Sequence, residues 1–222
     1  MGQIYLVRHG QASFGQADYD NLSALGAQQG ERLGAYFQRK GIRFSAALRG
    51  TLRRHEQTLS AIERGAGTEH KTLAWLGLNE YDSHALIDAI HPDPLPAPET
   101  PELYRYHFRL LREALHHWIQ GKSEPKGLPL YPDFVAGVMG AMDHIRSQCE
   151  GNVLVVSSGG PISTIVSHML GAPAETSVEL NFRIRNTSVT ELDFNPKRLA
   201  LLTYNTLPHL DEADLQSWIT YA

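Results

Sequence analysis

Short apolar runs alternate with amphipathic stretches along most of this chain. Residues 4–7 and 153–156 are unbroken apolar runs, the pattern of strands buried on both faces. After the first run, Ser23 caps a predicted helix to about residue 40, with Leu25, Leu33 and Phe37 on one side and Gly41 as its stop. Residues 44–48 form the next predicted strand. A helix is predicted over 51–64, with Leu52, Leu59 and Ile62 turned inward, then a third strand over 71–76. Past the second apolar run, a helix over 161–170 ends at Gly171 and Pro173. Residues 189–194 and 199–204 alternate like late strands. Strands alternating with helices predict an α/β fold: a three-layer, doubly wound, mostly parallel sheet with helices on both faces.

The middle of the chain breaks this rhythm. Pro92, Pro94, Pro96, Pro98 and Pro101 mark a loop. Thr100 before Pro101 is a helix start, with the threonine as cap and the proline in the first turn. That helix is predicted to reach residue 120 and carries Leu103, Leu110, Leu111, Leu115 and Trp118. A loop over 121–132 leads to a helix over 134–145. Residues 81–133 are thus expected to be a helical, cap-like insertion near a site at one sheet edge, within a single domain of residues 1–222. No internal repeat and no linker divides the chain.

Charge and cysteine content remove several function classes. Twenty basic side chains against 24 acidic ones give a formal charge of −4, which argues against nucleic acid and anionic membrane as partners. A single cysteine, Cys149, excludes an internal disulfide framework and a multi-cysteine metal site. The N-terminus lacks the layout of a signal peptide, and Leu6 makes it a poor myristoylation site. No apolar run approaches the roughly 20 residues that span a bilayer. A cytoplasmic location is the expectation. The eleven histidines are the unusual supply.

Arg8 and His9 come directly after the first buried strand, and open α/β sheets place ligands beyond strand carboxyl ends. An arginine fork matches phosphate. An imidazole is a nucleophile or base near neutral pH, and Gly10 permits close backbone approach. Arg53, Arg54 and His55 open the second helix, where an anion is favoured. The turn Ser157-Ser158-Gly159-Gly160-Pro161, between a strand and a helix, is expected to leave backbone N–H groups for an anion. Tight strand–helix packing explains the same glycines.

These stations resemble the histidine phosphatase superfamily, also called the phosphoglycerate mutase-like family. The resemblance is carried by Leu6-Val7-Arg8-His9-Gly10-Gln11, by Leu22-Ser23-Ala24-Leu25-Gly26, and by Leu52-Arg53-Arg54-His55-Glu56-Gln57-Thr58. Leu78-Asn79-Glu80-Tyr81-Asp82, Val155-Val156-Ser157-Ser158-Gly159-Gly160, Asn186-Thr187-Ser188-Val189-Thr190-Glu191-Leu192, and Asn205 with Pro208-His209-Leu210 continue it in family order. It implies His9 as the nucleophile that forms a phosphohistidine, Arg8 and Arg54 as holders of the phosphoryl group, and Glu80 as the acid that protonates the leaving oxygen. Phosphoryl transfer needs those parts: an in-line nucleophile and cations on the equatorial oxygens. A carboxyl donor gains from a raised pKa.

Two departures stand out. Ser158 occupies the place where the family usually has a second histidine, and a serine can donate a hydrogen bond but carries no charge. Losing a preorganised donor costs about 10²–10³ in rate, which Gly159 and Gly160 N–H groups are expected to offset in part. If Ser158 holds that place, Ser158→His should raise the rate. Gly15 stands where many members have an asparagine that contacts phosphate, with Ser13 as a nearby hydroxyl to replace it. Ser13, Ser158 and Gly159 are therefore the expected substrate-binding residues.

The remaining histidines have plainer expectations. His116 and His117 read as surface, His144 and His168 as packing or solvated, and His84, His91 and His107 as candidates for the site mouth. His209 falls at a recurrent family position without a derivable role. Arg105, Arg109 and Arg112 meet either an anionic substrate or solvent. No metal-ligand spacing is present, and no cofactor is implied. The expected function is a metal-independent phosphatase acting on phosphomonoesters, small molecules first, with phosphoproteins as the other class. The alternatives are mutase-like phosphoryl transfer and a low-activity phospholigand-binding regulator. Oligomeric state is open, a dimer included.

Overall fold

A computed structural model describes residues 1–13, 20–96 and 100–221. Six strands form one sheet in the order β3-β2-β4-β1-β5-β6. They are β1 (Gly2–Arg8), β2 (Ala46–Arg49), β3 (Thr72–Ala74), β4 (Val153–Ser157), β5 (Val189–Asn195) and β6 (Arg198–Thr206). β1, β4, β2 and β3 pair in parallel, whereas β5 is antiparallel to both β1 and β6. The helices are α1 (Ala24–Arg39), α2 (Arg53–Ala66), α3 (Ser83–Asp88), α4 (Pro101–Ile119), α5 (Tyr131–Gln148), α6 (Gly159–Met169) and α7 (Thr176–Asn181). Short 3-10 turns occupy Leu76–Leu78 and Ala213–Trp218.

Strand alternation splits the core in two. Tyr5 and Val7 of β1 face a cluster with Leu33 and Phe37 of α1 and Leu59 and Ile62 of α2. Ile4 and Leu6 face the other way, into a cluster with Trp118 of α4, Phe134 and Met142 of α5, and Ile162 of α6. The sheet is therefore covered on both sides, a mixed six-stranded α/β architecture. The chain leaves β1 toward the α1 face and leaves β4 toward the α6 face. Adjacent parallel strands whose connections part to opposite faces open a crevice at their carboxyl ends, where ligands of such sheets bind.

Local chemistry sets the boundaries. Ser23 accepts the Gly26 N–H as the cap of α1, and Gly41 comes after it at φ +66°. Thr100 caps α4 through the Leu103 N–H. α2 starts two residues later than the apolar pattern suggests, because Leu52 serves as its N-cap with extended backbone. α6 starts two residues earlier than expected, at Gly159. β3 is cut short by the turn that carries the chain toward Glu80. The six-residue helices α3 and α7 lack the length to show a period in sequence. α4 packs Leu110, Ala114, Leu115 and Trp118 into the core, and its Trp118 ring lies 5.8 Å from that of Tyr81. Among the described residues no helix is long and apolar enough to cross a membrane.

Candidate active site

The crevice between β1 and β4 is built from backbone pairing. Arg8 is in register with Ser157, the His9 N–H donates to the Ser157 carbonyl at 2.9 Å, and His9 lies directly beyond. The strand end is also held from the other side. Thr187 N–H reaches the Arg8 carbonyl at 3.0 Å and Asn186 Nδ2 donates to the His9 carbonyl at 3.1 Å. Thr187 is a β-branched residue at φ +53°, a conformation that costs of order 1–3 kcal/mol and persists only where its surroundings enforce it. His209 enforces it: Nε2–H donates to Thr187 Oγ1 at 2.9 Å, while the threonine hydroxyl donates to the Asn186 carbonyl. His209 thus steadies the loop behind His9.

His9 itself is 3% exposed. Its Nδ1–H donates to the Gly10 carbonyl at 2.8 Å, since a carbonyl can only accept. That bond places the ring proton on Nδ1 and leaves the Nε2 lone pair unprotonated. Burial, then the charges of Arg8 and Arg54 and the nearness of His55, hold the His9 pKa well below the usual imidazole range. His9 is therefore a neutral imidazole at physiological pH. Gly10 answers the expectation of close approach, because a Cβ there would lie 2.4 Å from the Gly26 carbonyl oxygen.

Two guanidinium groups flank it. Arg8 Nη1 donates to the carbonyls of Ile184, at 2.6 Å, and of Tyr221. Arg54, on the first turn of α2, pairs with Asp20 at 2.8 Å. Asp20 also accepts the Arg53 N–H and so completes the N-terminus of α2. Thr58, one turn on, accepts the Gly10 N–H and donates to the Arg54 carbonyl, tying this helix to the His9 loop.

Glu80 approaches from the sheet's far neighbour. The turn before it is fixed by Ser157 Oγ donating to the Leu78 carbonyl at 2.7 Å and by Asn79 Oδ1 accepting the Thr51 N–H at 2.7 Å. Glu80 Oε2 then accepts the Gly160 N–H at 3.1 Å, and Oε1 is buried with no hydrogen-bond partner among the described residues. Burial raises the Glu80 pKa from its ordinary value, opposed by the Gly160 N–H and by Arg54 and Arg8. Burial thus favours the protonated form of a carboxyl that interacts with the same two arginines as the neutral imidazole. Gly160 is required for this: a Cβ there would lie 2.1 Å from Glu80 Oε1 and 2.6 Å from the Tyr81 ring. Gly160→Ala should displace the carboxyl and lower kcat about 10²-fold, since an ångström of misplacement costs that much. Steady-state kinetics on an alkyl phosphate, whose leaving alkoxide needs a proton, checks it, and a wild-type kcat there would remove Glu80 from its assigned position.

Buried neutral histidines also set the pH dependence of folding. Desolvation and Arg54 hold His55 at about 3, and desolvation and Arg32 hold His209 at about 3. A histidine with a depressed folded-state pKa stabilises fully above its unfolded value near 6.5, and that contribution is lost as pH falls. Between pH 7 and pH 5 each should withdraw roughly 2 kcal/mol, while Glu80, with its raised pKa, works the opposite way. Thermal melting should show a lower midpoint at pH 5 than at pH 7.5. An unchanged or higher midpoint would mean these rings are not held neutral.

The sequence falls within one family. A family model, the histidine phosphatase superfamily (branch 1), matches residues 4–89 and 99–207. The chain belongs to that superfamily. No curated protein sequence matches it. Several solved structures share the fold at low identity. A phosphoserine phosphatase variant from Entamoeba histolytica, in complex with phosphoserine, is 18% identical with TM-score 0.63, covering 95% of this chain and 100% of its own. The phosphoglycerate mutase from Bacillus anthracis is 20% identical with TM-score 0.64, covering 94% of each. The alpha-ribazole phosphatase from Shigella flexneri is 19% identical with TM-score 0.62, covering 92% and 96%.

In this superfamily member, Arg8, His9, Arg54, Glu80, Ser158 and Gly159 all converge on the β1–β4 crevice. Ser13 is engaged by its own loop: its hydroxyl donates to the Leu22 carbonyl and its N–H to that of Asn21. Gly15 lies outside the described residues. One expectation is corrected. The Gly160 N–H is not left for a ligand, because Glu80 takes it. His91 and His107 make local loop contacts with Asp93 and Pro96, and His144 lies against Trp75. Arg105 pairs with Glu102 in solvent, and Arg112 pairs with Glu179 over the Phe182 ring. Sequence reasoning missed Asp20, and it named His55 only at the helix start, without its contact to Ser158. His55 had a signal: it stands one turn before Leu59 and two before Ile62 on the buried stripe of α2.

Proposed function

We propose that this chain is a metal-independent phosphatase that hydrolyses phosphomonoesters through a phosphohistidine on His9. The observation that carries the reading is the neutral, buried His9, its Nδ1–H tied to Gly10 and its Nε2 lone pair free, near the two arginines that also act on the buried Glu80 carboxyl. Nε2 attacks phosphorus in line, and the P–N bond forms as the ester P–O bond breaks. Arg8 and Arg54 offset charge on the equatorial oxygens. Glu80 gives its proton to the departing alkoxide and becomes the carboxylate. Water then attacks phosphorus and yields a proton to Glu80, the P–N bond breaks, and His9 recovers its lone pair as phosphate leaves.

Residues 81–133 shape the substrate's approach in this reading. Tyr81 sits next to the acid in the chain, accepts a 2.5 Å hydrogen bond from Asn181, and packs on Trp118 of α4. The test is release of inorganic phosphate from a panel that includes p-nitrophenyl phosphate, phosphoserine, alpha-ribazole phosphate and 3-phosphoglycerate. Phosphate release supports the reading. Isomerisation of the phosphoglycerate without release would make the chain a mutase, and silence across the panel would leave the regulator.

A further inference from the structure

The buried face of α2 places a histidine against the serine at the start of α6. His55 Nε2 lies 2.7 Å from Ser158 Oγ, and both residues are fully buried. The His55 ring centroid is 5.8 Å from that of His9. Ser158 is the N-cap residue of α6, a position where a serine hydroxyl ordinarily accepts a first-turn N–H. Here it caps nothing. Glu80 accepts the Gly160 N–H instead, which releases the Ser158 hydroxyl toward His55.

The tautomer is set by the other ring nitrogen. His55 Nδ1 is buried with no hydrogen-bond partner among the described residues. An orphaned buried N–H is rarer and costlier than an orphaned acceptor, so the proton sits on Nε2. The site is cut to receive the ring: a Cβ on Gly50 would lie 2.1 Å from His55 Nδ1. With Nε2–H donating to Ser158 Oγ, the serine's own proton must point elsewhere.

We propose that His55 works through Ser158 as a donor relay on the phosphoryl group: His55 Nε2–H donates to Ser158 Oγ, and the Ser158 O–H is presented to a phosphoryl oxygen beside His9. A hydroxyl that accepts one hydrogen bond is polarised as the donor of the next. This rests on His9 being the phosphoryl acceptor. Ser158 is then the group that touches substrate, and His55 is a positioning residue. An imidazole thereby serves the phosphoryl pocket from α2. The expectation that Ser158→His alone would speed the reaction is reversed, because a ring at position 158 meets the ring already held 2.7 Å from Oγ.

The test compares His55→Ala, His55→Gln, Ser158→His and the double variant His55→Ala/Ser158→His. On p-nitrophenyl phosphate, His55→Ala should lose about 10²-fold in kcat, the scale of one preorganised donor, with KM changed by about threefold or less. His55→Gln, whose amide can still donate to Ser158, should stay within about tenfold of wild type. Ser158→His should fall below wild type, and the double variant should exceed His55→Ala by about tenfold or more. Binding of orthovanadate, a trigonal-bipyramidal mimic of the transferring group, should weaken about tenfold in His55→Ala, and more than binding of inorganic phosphate. Wild-type kcat in His55→Ala, equal loss in the Gln variant, or no gain in the double variant would overturn the relay. Should wild type neither turn over nor carry phosphate on His9, the phosphatase reading fails. The vanadate comparison then still decides the relay, and equal affinity in wild type and His55→Ala would end it.

Discussion

His9→Ala is expected to lower phosphomonoester turnover on the order of 10⁴-fold or more, the scale on which removing a nucleophile acts. The loss should fall on kcat. Arg8 and Arg54 remain to bind the phosphate, and the imidazole contributes mainly when the P–N bond forms. Folding should survive, because His9 is neutral in the native state and its ring makes one described hydrogen bond, to Gly10. The loop is held independently by Ser157, Asn186 and Thr187 through backbone groups of Arg8 and His9. Comparing kcat, KM and thermal midpoint of the variant with wild type checks all three points. A variant with wild-type kcat would place the chemistry elsewhere.

Glu80→Gln should produce the second large effect, and one that depends on the leaving group. Alkyl phosphates, whose alkoxides need a proton, should slow about 10²–10⁴-fold. p-Nitrophenyl phosphate, which leaves without help, should slow by about tenfold or less. The pH profile carries the sign. Glu80 donates only while protonated, and burial raises its pKa, so wild-type kcat on alkyl phosphates should fall as pH rises through that raised value. The glutamine variant should lack this limb. Equal losses on both substrate types, or an unaltered limb, would show that Glu80 is not the proton donor.

Much of this site was legible because its chemistry sits where sequence patterns are strong. A run such as residues 4–7 is typical of a strand buried on both faces, and the residues directly after such a strand lie at a sheet's carboxyl edge. Arg8 and His9 were found that way. Arg54 and the Ser158 turn were found from helix starts. Glu80 was reached through resemblance, since no local period marks the turn over Leu76–Leu78. Partnerships were hidden. Nothing near Gly160 in sequence says that its N–H is taken by a carboxylate 80 residues away. Likewise the 103-residue separation of His55 and Ser158 hides their contact, and Asp20 reaches Arg54 only through the fold. His209, at a position without a derivable role, turns out to brace Thr187, whose strained backbone no sequence pattern marks. Propensity and period report on local structure. Which polar atoms are used up, and which are left for a ligand, is settled by tertiary contacts.

The most direct measurement is a search for the covalent intermediate. The protein is mixed with excess phosphomonoester, quenched at alkaline pH where phosphohistidine survives, digested, and mapped by mass spectrometry. An acid-labile phosphoryl group on the peptide bearing His9, absent from His9→Ala, is the expected result. Turnover that proceeds with His9 never phosphorylated, or a label that persists in His9→Ala, would contradict it.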